Sequence, residues 1–373
     1  MFDLTGLLLG NGANQDPDFF VDPNEAFFVT GGAGSLGREL VFRLLKCGAK
    51  SIHVFDNSVP ALVTLEESIK QDNELDPSAV KFLVGDVRSP GDVDQALACS
   101  RPQVVFHFAA LKYVDVAETN PRDAFDINVE GTLNVLRASR NADRFAMMST
   151  DKAVFPHGMM GVTKRFAEVL VMLAAGTNER CAYSIIRSGN VVGSSGSALD
   201  EFVTQVENSR VVTITHPGMK RFFIGKSELI GLVLGSVLGL ETRPGYASTY
   251  IIDCGSLVRI VDIAEKIALA FGKKLVEGSP KKNEIGLKYI GVRDGEKLEE
   301  KMHHSARVAE TDISKVKRVL DDDLTATLLA LSDEFRFLCD HSNQRIEDCL
   351  LKFNQLIQSD YGVRARSDVV DPK

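Results

Sequence analysis

The sequence predicts an α/β protein: a Rossmann-like, doubly wound parallel sheet with a smaller C-terminal substrate-binding lobe. Two observations support this fold class. Short apolar runs alternate with longer stretches of helical spacing over the first half of the chain, which is typical of a parallel sheet covered by helices on both faces. A glycine-rich turn, GGAGSLG, joins the first apolar run to the first helical stretch, as in other sheets of this class.

The predicted elements follow one another in a regular order. The strand AFFVTG leads into a helix over residues 36–47, with Leu36, Leu40 and Leu44 on one face and Gly48 as its stop. Further strands are predicted in SIHVFDN, VKFLVGD, QVVFHFAA, DRFAMMST and CAYSIIRSGNVVG. Helices are predicted between them at 59–71, 91–99, 121–140 and 158–175. After Gly196 the alternation is looser, and helical spacing is found at 255–272 and 321–338.

Composition narrows the class of protein. The chain has 373 residues, a formal net charge of −8 and 44% hydrophobic residues, which argues against nucleic acid or an anionic membrane surface as the main partner. No run approaches the roughly 18 to 20 apolar residues of a membrane span. The six cysteines form no C-x-x-C pair and the histidines have no metal-ligand spacing. We therefore predict a reduced, cytoplasmic protein without a metal site or a membrane span.

The glycine-rich turn predicts a dinucleotide site. Gly31, Gly34 and Gly37 lie between a strand and a helix, where backbone N–H groups can approach a pyrophosphate. Asp56 ends the second strand and can accept hydrogen bonds from a ribose, so NAD is favoured over the alternative, NADP. Asp86 ends the third strand and is placed to meet the adenine. Either aspartate can instead be an ordinary turn residue. The predicted cofactor-binding set is completed by Ser35, Leu36, Val87, Ala109 and Lys164.

A series of motifs over residues 26–300 resembles the extended short-chain dehydrogenase/reductase superfamily, and within it the polysaccharide-biosynthesis branch that contains UDP-N-acetylglucosamine 4,6-dehydratases. The motifs are VTGGAGSLGREL, VFDNS, VVFHFAALKYVDVAETNP, NVEGTLNVL, STDKAVFPHGMMGVTK, RSGNVVGSSGSALDEF, THPGMKRFF and GVRDGEKLEEKM. One subgroup of this branch has Tyr four residues before the helix lysine, and another has Met. Met160 and Lys164 resemble the Met-for-Tyr subgroup.

The resemblance implies a NAD-dependent reaction in three linked steps: oxidation at C4, elimination of water across C5–C6, and return of the hydride to C6. Lys152 would remove and return the C5 proton, and Asp151 would protonate the departing C6 hydroxyl, a pair associated with inversion at C5. Thr150 would contact the 4-hydroxyl and Lys164 the nicotinamide ribose. Met160 cannot take a proton, so the C4 proton must go to Asp151, to water, or through Thr150 to solvent. Alternatively, STDK is only a strand end followed by a helix cap.

The resemblance also implies a nucleotide-sugar site, and the pattern along the chain predicts a domain division. UDP-N-acetylglucosamine or a related nucleotide sugar would be the partner, and the family commonly forms homo-oligomers. The candidate substrate-binding residues are Lys112, Glu118, Asn190, Arg221 and Arg293. The predicted regions are an N-terminal leader at 1–24, a NAD-binding Rossmann domain at 25–195, a partly interleaved nucleotide-sugar lobe at 196–310, and a C-terminal helical segment and tail at 311–373.

Two other functions remain open on the sequence alone. A UDP-sugar 4-epimerase needs only reversible hydride transfer at C4, and the absent Tyr counts more heavily against it than against a dehydratase. A non-catalytic regulator that binds NAD or a nucleotide sugar would explain Met160 as a lost catalytic residue. The retention of Asp151, Lys152 and Lys164 argues against that second alternative.

Overall fold

The computed structural model describes residues 4–9, 17–194, 196–303, 307–320 and Phe353. The helices are α1 (Leu4–Leu9), α2 (Ser35–Lys46), α3 (Val59–Gln71), α4 (Pro90–Ser100), α5 (Val114–Thr119), α6 (Pro121–Phe125), α7 (Gly131–Ala138), α8 (Met159–Thr177), α9 (Ala198–Glu207), α10 (Lys226–Leu234) and α11 (Ile260–Ala270). Short π-helical turns lie at Asp126–Glu130 and Gly235–Gly239, and 3-10 turns at Pro77–Ala79 and Asp151–Ala153.

The strands form one large sheet and three small ones. They are β1 (Ala26–Thr30), β2 (Ser51–Asp56), β3 (Val80–Val84), β4 (Val104–His107), β5 (Arg144–Thr150), β6 (Ala182–Ser188), β7 (Asn190–Val192), β8 (Val212–Ile214), β9 (Lys220–Arg221), β10 (Phe223–Gly225), β11 (Ala247–Ile252), β12 (Val258–Arg259), β13 (Lys274–Glu277), β14 (Glu284–Tyr289), β15 (Val308–Glu310) and β16 (Val316–Val319). The nine-stranded sheet has the order β15-β16-β11-β6-β5-β4-β1-β2-β3.

The large sheet is parallel from β3 to β11, and β16 and β15 extend it antiparallel. The strand order reverses between β1 and β4, which is the switch point where doubly wound sheets bind ligands. Two apolar cores cover its faces: one includes α8, and the other includes α2 and α10. The predicted Rossmann-like α/β class is confirmed.

A smaller lobe is built beyond β7. The sheet β13-β14-β8 packs with α9 and α11 around its own apolar cluster, which includes Phe202, Ile263 and Ile285. Not all of region 196–310 belongs to it, because α10 packs on α2 and β11 enters the large sheet between β6 and β16. The small sheets β10-β7 and β12-β9 lie where the chain passes between the two parts.

Three predicted segments differ from the structure. The leader contains helix α1, and its Leu4 is buried in the core of the smaller lobe. The predicted helix at 121–140 is divided into α6, a π-helical turn and α7. Residues 316–319, assigned to a C-terminal helical segment, form strand β16 and complete the large sheet. The predicted helix at 321–338 lies outside the described residues. Within the described residues, no helix is both long and apolar enough to cross a bilayer.

Candidate active site

A cavity of about 700 Å3 opens at the carboxyl ends of the central strands. It extends from the glycine-rich turn after β1, past the ends of β4 and β5, to β7 and the start of α9. The structure brings most of the predicted site residues to its wall: Gly31, Gly34, Ser35, Leu36, Gly37, Asp56, Asp86, Val87, Ala109, Lys112, Thr150, Lys152, Met160, Lys164, Asn190 and Arg293.

The glycine-rich turn leaves room that side chains would fill. Gly31 has a φ of 62°, in the left-handed region, and a Cβ there would lie 2.7 Å from the backbone nitrogen of Ala109. A Cβ on Gly37 would collide with the carbonyl of Gly31. The N-terminus of α2 carries no side-chain cap. The turn therefore presents bare backbone at a helix N-terminus, which fits the pyrophosphate of a dinucleotide.

The two predicted nucleotide carboxylates have different surroundings. Asp56 accepts hydrogen bonds from the backbone N–H of Ala33 at 3.1 Å and of Ser58 at 2.9 Å, so its carboxylate is fixed beside the glycine-rich turn. Asp86 accepts from Arg88 Nη2 at 2.6 Å and from Arg88 Nε at 3.1 Å. These bonds from Arg88 hold the pKa of Asp86 below its usual value. Because Arg88 occupies the carboxylate of Asp86, Asp56 is better placed than Asp86 to accept hydrogen bonds from ribose hydroxyls.

The segment after β5 holds a connected group of polar side chains. Lys152 donates from Nζ to Asp151 Oδ1 at 2.9 Å and to Asn190 Oδ1 at 2.9 Å. Thr150 donates from Oγ1 to Asp151 Oδ1 at 3.0 Å. Asp151 is fully buried behind Lys152, and its Oδ2 has no hydrogen-bond partner among the described residues. Thr150 and Lys152 line the cavity, whereas Asp151 does not, so the buried carboxylate can exchange protons with the cavity only through the hydroxyl and the amine in front of it.

Met160 and Lys164 lie one turn apart on α8, and both face the cavity. Met160 also packs within the apolar core. Lys164 is 5% exposed, and its burial lowers the pKa of its ammonium to about 8, although Glu168 opposes that effect. The thioether of Met160 cannot exchange a proton, so Lys164 is the titratable group on this turn of the helix.

A buried ionic cluster that the motifs did not predict supports this helix. Glu168, four residues after Lys164, accepts from Arg187 Nε and Nη2 at 2.8 Å each and from Arg165 Nη1 at 2.9 Å. Ser149 adds a bond to Glu168 at 2.6 Å. Since Ser149 directly precedes Thr150, the cluster joins α8 to β5 and β6 next to Thr150, Asp151 and Lys152. The sequence signal that could have indicated this cluster is the charged residue Glu168 within an otherwise apolar helical stretch.

The part of the cavity towards β7 and α9 is lined by three of the five residues that were predicted to bind the nucleotide sugar. Asn190 begins β7 and contacts Lys152. Lys112 donates from Nζ to Ser194 Oγ at 2.9 Å, and Arg293 pairs with Asp115. Tyr113 and the first residues of α9 line the same region, although they were not predicted as site residues.

The other two predicted substrate residues do not line the cavity. Glu118 accepts the backbone N–H of Met159 at 2.6 Å, so it caps the N-terminus of α8 rather than lining a sugar pocket. Arg221 is 6% exposed and donates from Nη1 to the carbonyls of Lys220 at 2.8 Å and Leu298 at 3.3 Å. Both predictions missed these structural roles because a motif position does not show which way a side chain points.

The described structure is that of an extended short-chain dehydrogenase/reductase-like protein, and solved structures have the same fold. Pen from Bacillus thuringiensis has a TM-score of 0.70 and 25% identity, covering 82% of this chain and 90% of that one. DesIV, a dTDP-glucose 4,6-dehydratase from Streptomyces venezuelae solved with NAD, has a TM-score of 0.60 and 19% identity, covering 74% and 87%. The second likeness is evidence for the fold alone.

The chain belongs to the polysaccharide biosynthesis protein family, whose profile matches residues 27–321. The capsular polysaccharide biosynthesis protein CapD of Staphylococcus aureus is 32% identical over 75% of this chain, and the match spans 45% of CapD. A UDP-glucose 4-epimerase of Rickettsia conorii is 32% identical, with 79% of this chain and 81% of that one covered. The predicted polysaccharide-biosynthesis branch is confirmed, while the Met-for-Tyr dehydratase subgroup stays a prediction.

Proposed function

We propose that this protein is a UDP-N-acetylglucosamine 4,6-dehydratase that retains NAD and supplies a sugar for surface glycan or glycoprotein synthesis. The observation that supports this reaction is the contact of Lys152 with Asp151 and Asn190 at the cavity wall. Dehydration needs an acid and a base held together, and pairs of titratable groups in unlike environments fill these roles. Asp151 is fully buried, whereas Lys152 reaches the cavity.

The contacts of Thr150 offer a route for the proton that a Tyr would otherwise take. Thr150 Oγ1 would accept the proton of the 4-hydroxyl as its own passes to Asp151, 3.0 Å away. Bound NAD would supply the redox chemistry, accepting the hydride from C4 and returning it to C6. Lys164 would bind the nicotinamide ribose and favour loss of the hydroxyl proton electrostatically.

The elimination would then use the proton that Asp151 has received. Lys152, having first released its ammonium proton to solvent in the cavity, would take the C5 proton as a neutral amine while Asp151 protonates the departing C6 hydroxyl, so that the C4 hydroxyl proton leaves in water. Lys152 would finally deliver a proton to C5 from its ammonium group, whose other protons come from the solvent. Every proton is thus accounted for without a titratable group at Met160, and C5 would be inverted if the sugar ring presents its other face to Lys152 before the proton is delivered.

The 4-epimerase is a second candidate because of the Rickettsia relatives that carry that name. It would use the same C4 chemistry through Thr150 and Lys164, but it gives no role to the pair Asp151–Lys152. Mass spectrometry of UDP-N-acetylglucosamine incubated with the purified protein in heavy water separates the two. A product lighter by one water and deuterated at C5 is expected. An isomer of unchanged mass would favour the epimerase.

Asp56 is expected to determine the preference for NAD. Replacing it with serine removes a carboxylate that backbone bonds fix beside the turn. The loss of a charge-assisted hydrogen bond should weaken NAD binding roughly tenfold or more and reduce discrimination against NADP. Calorimetric titration of cofactor-free protein with each dinucleotide measures both effects. Asp72→Asn, in an exposed turn, is the control, and an unchanged affinity in Asp56→Ser would contradict the assignment.

A further inference from the structure

A segment of the smaller lobe, residues 293–300, lies against the loop that follows the catalytic pair. A Cβ on Gly158 would approach Gly295 Cα to 2.5 Å, so the two backbones are in close contact. Lys297 donates from Nζ to the carbonyls of Val154 at 2.9 Å and Phe155 at 3.4 Å. Phe155 has a φ of 46°, a left-handed conformation that is costly for a bulky residue. The smaller lobe therefore holds this loop in place.

Glu300, at the end of that segment, reaches Lys152 itself. It is 3% exposed, with Oε1 3.9 Å from Lys152 Nζ and Oε2 2.6 Å from Lys297 Nζ. Within the described residues, Asp151 and Glu300 are the carboxylates that form ion pairs with Lys152. The motif GVRDGEKLEEKM contains both Glu299 and Glu300, and the sequence alone does not show which of them reaches Lys152.

We infer that Glu300 is a positioning residue for Lys152, an inference that rests on the proposed dehydratase function. In that reaction Asp151 carries the C4 hydroxyl proton when Lys152 takes the proton from C5. At that stage Asp151 is protonated and uncharged, so it compensates little of the positive charge that forms on Lys152. Glu300 supplies the remaining negative charge and keeps the amine directed at C5. Lys297 keeps Glu300 paired in its buried position throughout.

The variant Glu300→Gln removes the charge and keeps the shape of the side chain. Turnover is expected to fall about tenfold or more, with little change in KM. This loss is smaller than that expected for removing an acid–base group itself, because Glu300 acts through Lys152. Because the C5 step becomes slower, the kinetic isotope effect of deuterium at C5 should grow and that of deuterium at C4 should shrink. Glu299→Gln is the matched control, since Glu299 is half-exposed and pairs with Lys220.

Each outcome decides the inference. Isotope effects and turnover in Glu300→Gln equal to those of Glu299→Gln would overturn it. A slow variant with lower thermal stability and unchanged isotope effects would show a merely structural role. If Glu300→Gln does not fold, Glu300→Asp, which keeps the charge and shortens the side chain by one methylene, takes the same measurement. A wild-type protein that releases no water from UDP-N-acetylglucosamine would overturn the proposed function itself, and the inference with it.

Discussion

The variant Lys152→Ala is expected to lose dehydratase turnover by a factor of about 10² to 10⁴, the usual contribution of a positioned acid–base group. Lys152 Nζ lies between Asp151 Oδ1 and Asn190 Oδ1 at 2.9 Å from each, and its side chain lines the cavity. Its loss removes the proposed base and leaves Asp151 without its ammonium partner. Turnover is measured by mass spectrometry as the release of water from UDP-N-acetylglucosamine.

The step at which the reaction is blocked in Lys152→Ala is as informative as the loss of turnover. Oxidation at C4 depends on Thr150, Asp151 and Lys164, which the substitution leaves in place, so reduced nicotinamide should still form and be visible by its near-ultraviolet absorbance. Deuterium from heavy water should no longer enter C5. Lys220→Ala, which removes a surface ion pair with Glu299, is the control. Full turnover in Lys152→Ala would refute the proposed mechanism.

The fold could be predicted because its signals are local. Apolar strands, helical spacing and the GGAGSLG turn define successive β–α units, and the predicted helix at 59–71 has the bounds of α3. The π-helical turn at Asp126–Glu130 was not predictable in this way, because its sequence has the same apolar spacing as the helices on either side. The pairing of β16 with β11 joins residues distant in the chain, which a window of neighbouring residues does not report.

The candidate site was predictable in part for the same reason. Asp151 and Lys152 are neighbours in the chain, and their contact follows from one short motif. The positions of Glu300 and Arg221 depend on how the smaller lobe folds back over that motif. Glu118 was also assigned from its position in a motif, but in the fold it lies at the N-terminus of α8 and accepts the backbone N–H of Met159. Residue type alone does not distinguish such a cap from a ligand-binding carboxylate.

Glu168→Gln is expected to have the largest effect on stability. Glu168 is fully buried between Arg165 and Arg187, which are themselves 2% and 1% exposed. Removing one member of a buried ion pair costs about 3 to 5 kcal/mol, because the remaining charges stay in the interior without compensation. The free energy of unfolding from urea titration is the measurement. Glu66→Gln, in an exposed pair with Lys70, should change it by about 0.5 kcal/mol or less.

The stability difference between wild type and Glu168→Gln should depend on pH in one direction. Burial raises the pKa of Glu168, but Arg187 and Arg165 outweigh burial and hold it well below the usual 4.5. A carboxyl whose pKa is lowered by folding contributes its full stability above the unfolded-state value and loses that contribution as the pH falls towards the folded-state value. The difference should therefore be constant near neutral pH and shrink below about pH 4.5. A difference that grows with acidity, or one under about 1 kcal/mol at neutral pH, would show that the guanidinium groups do not depend on Glu168 for compensation.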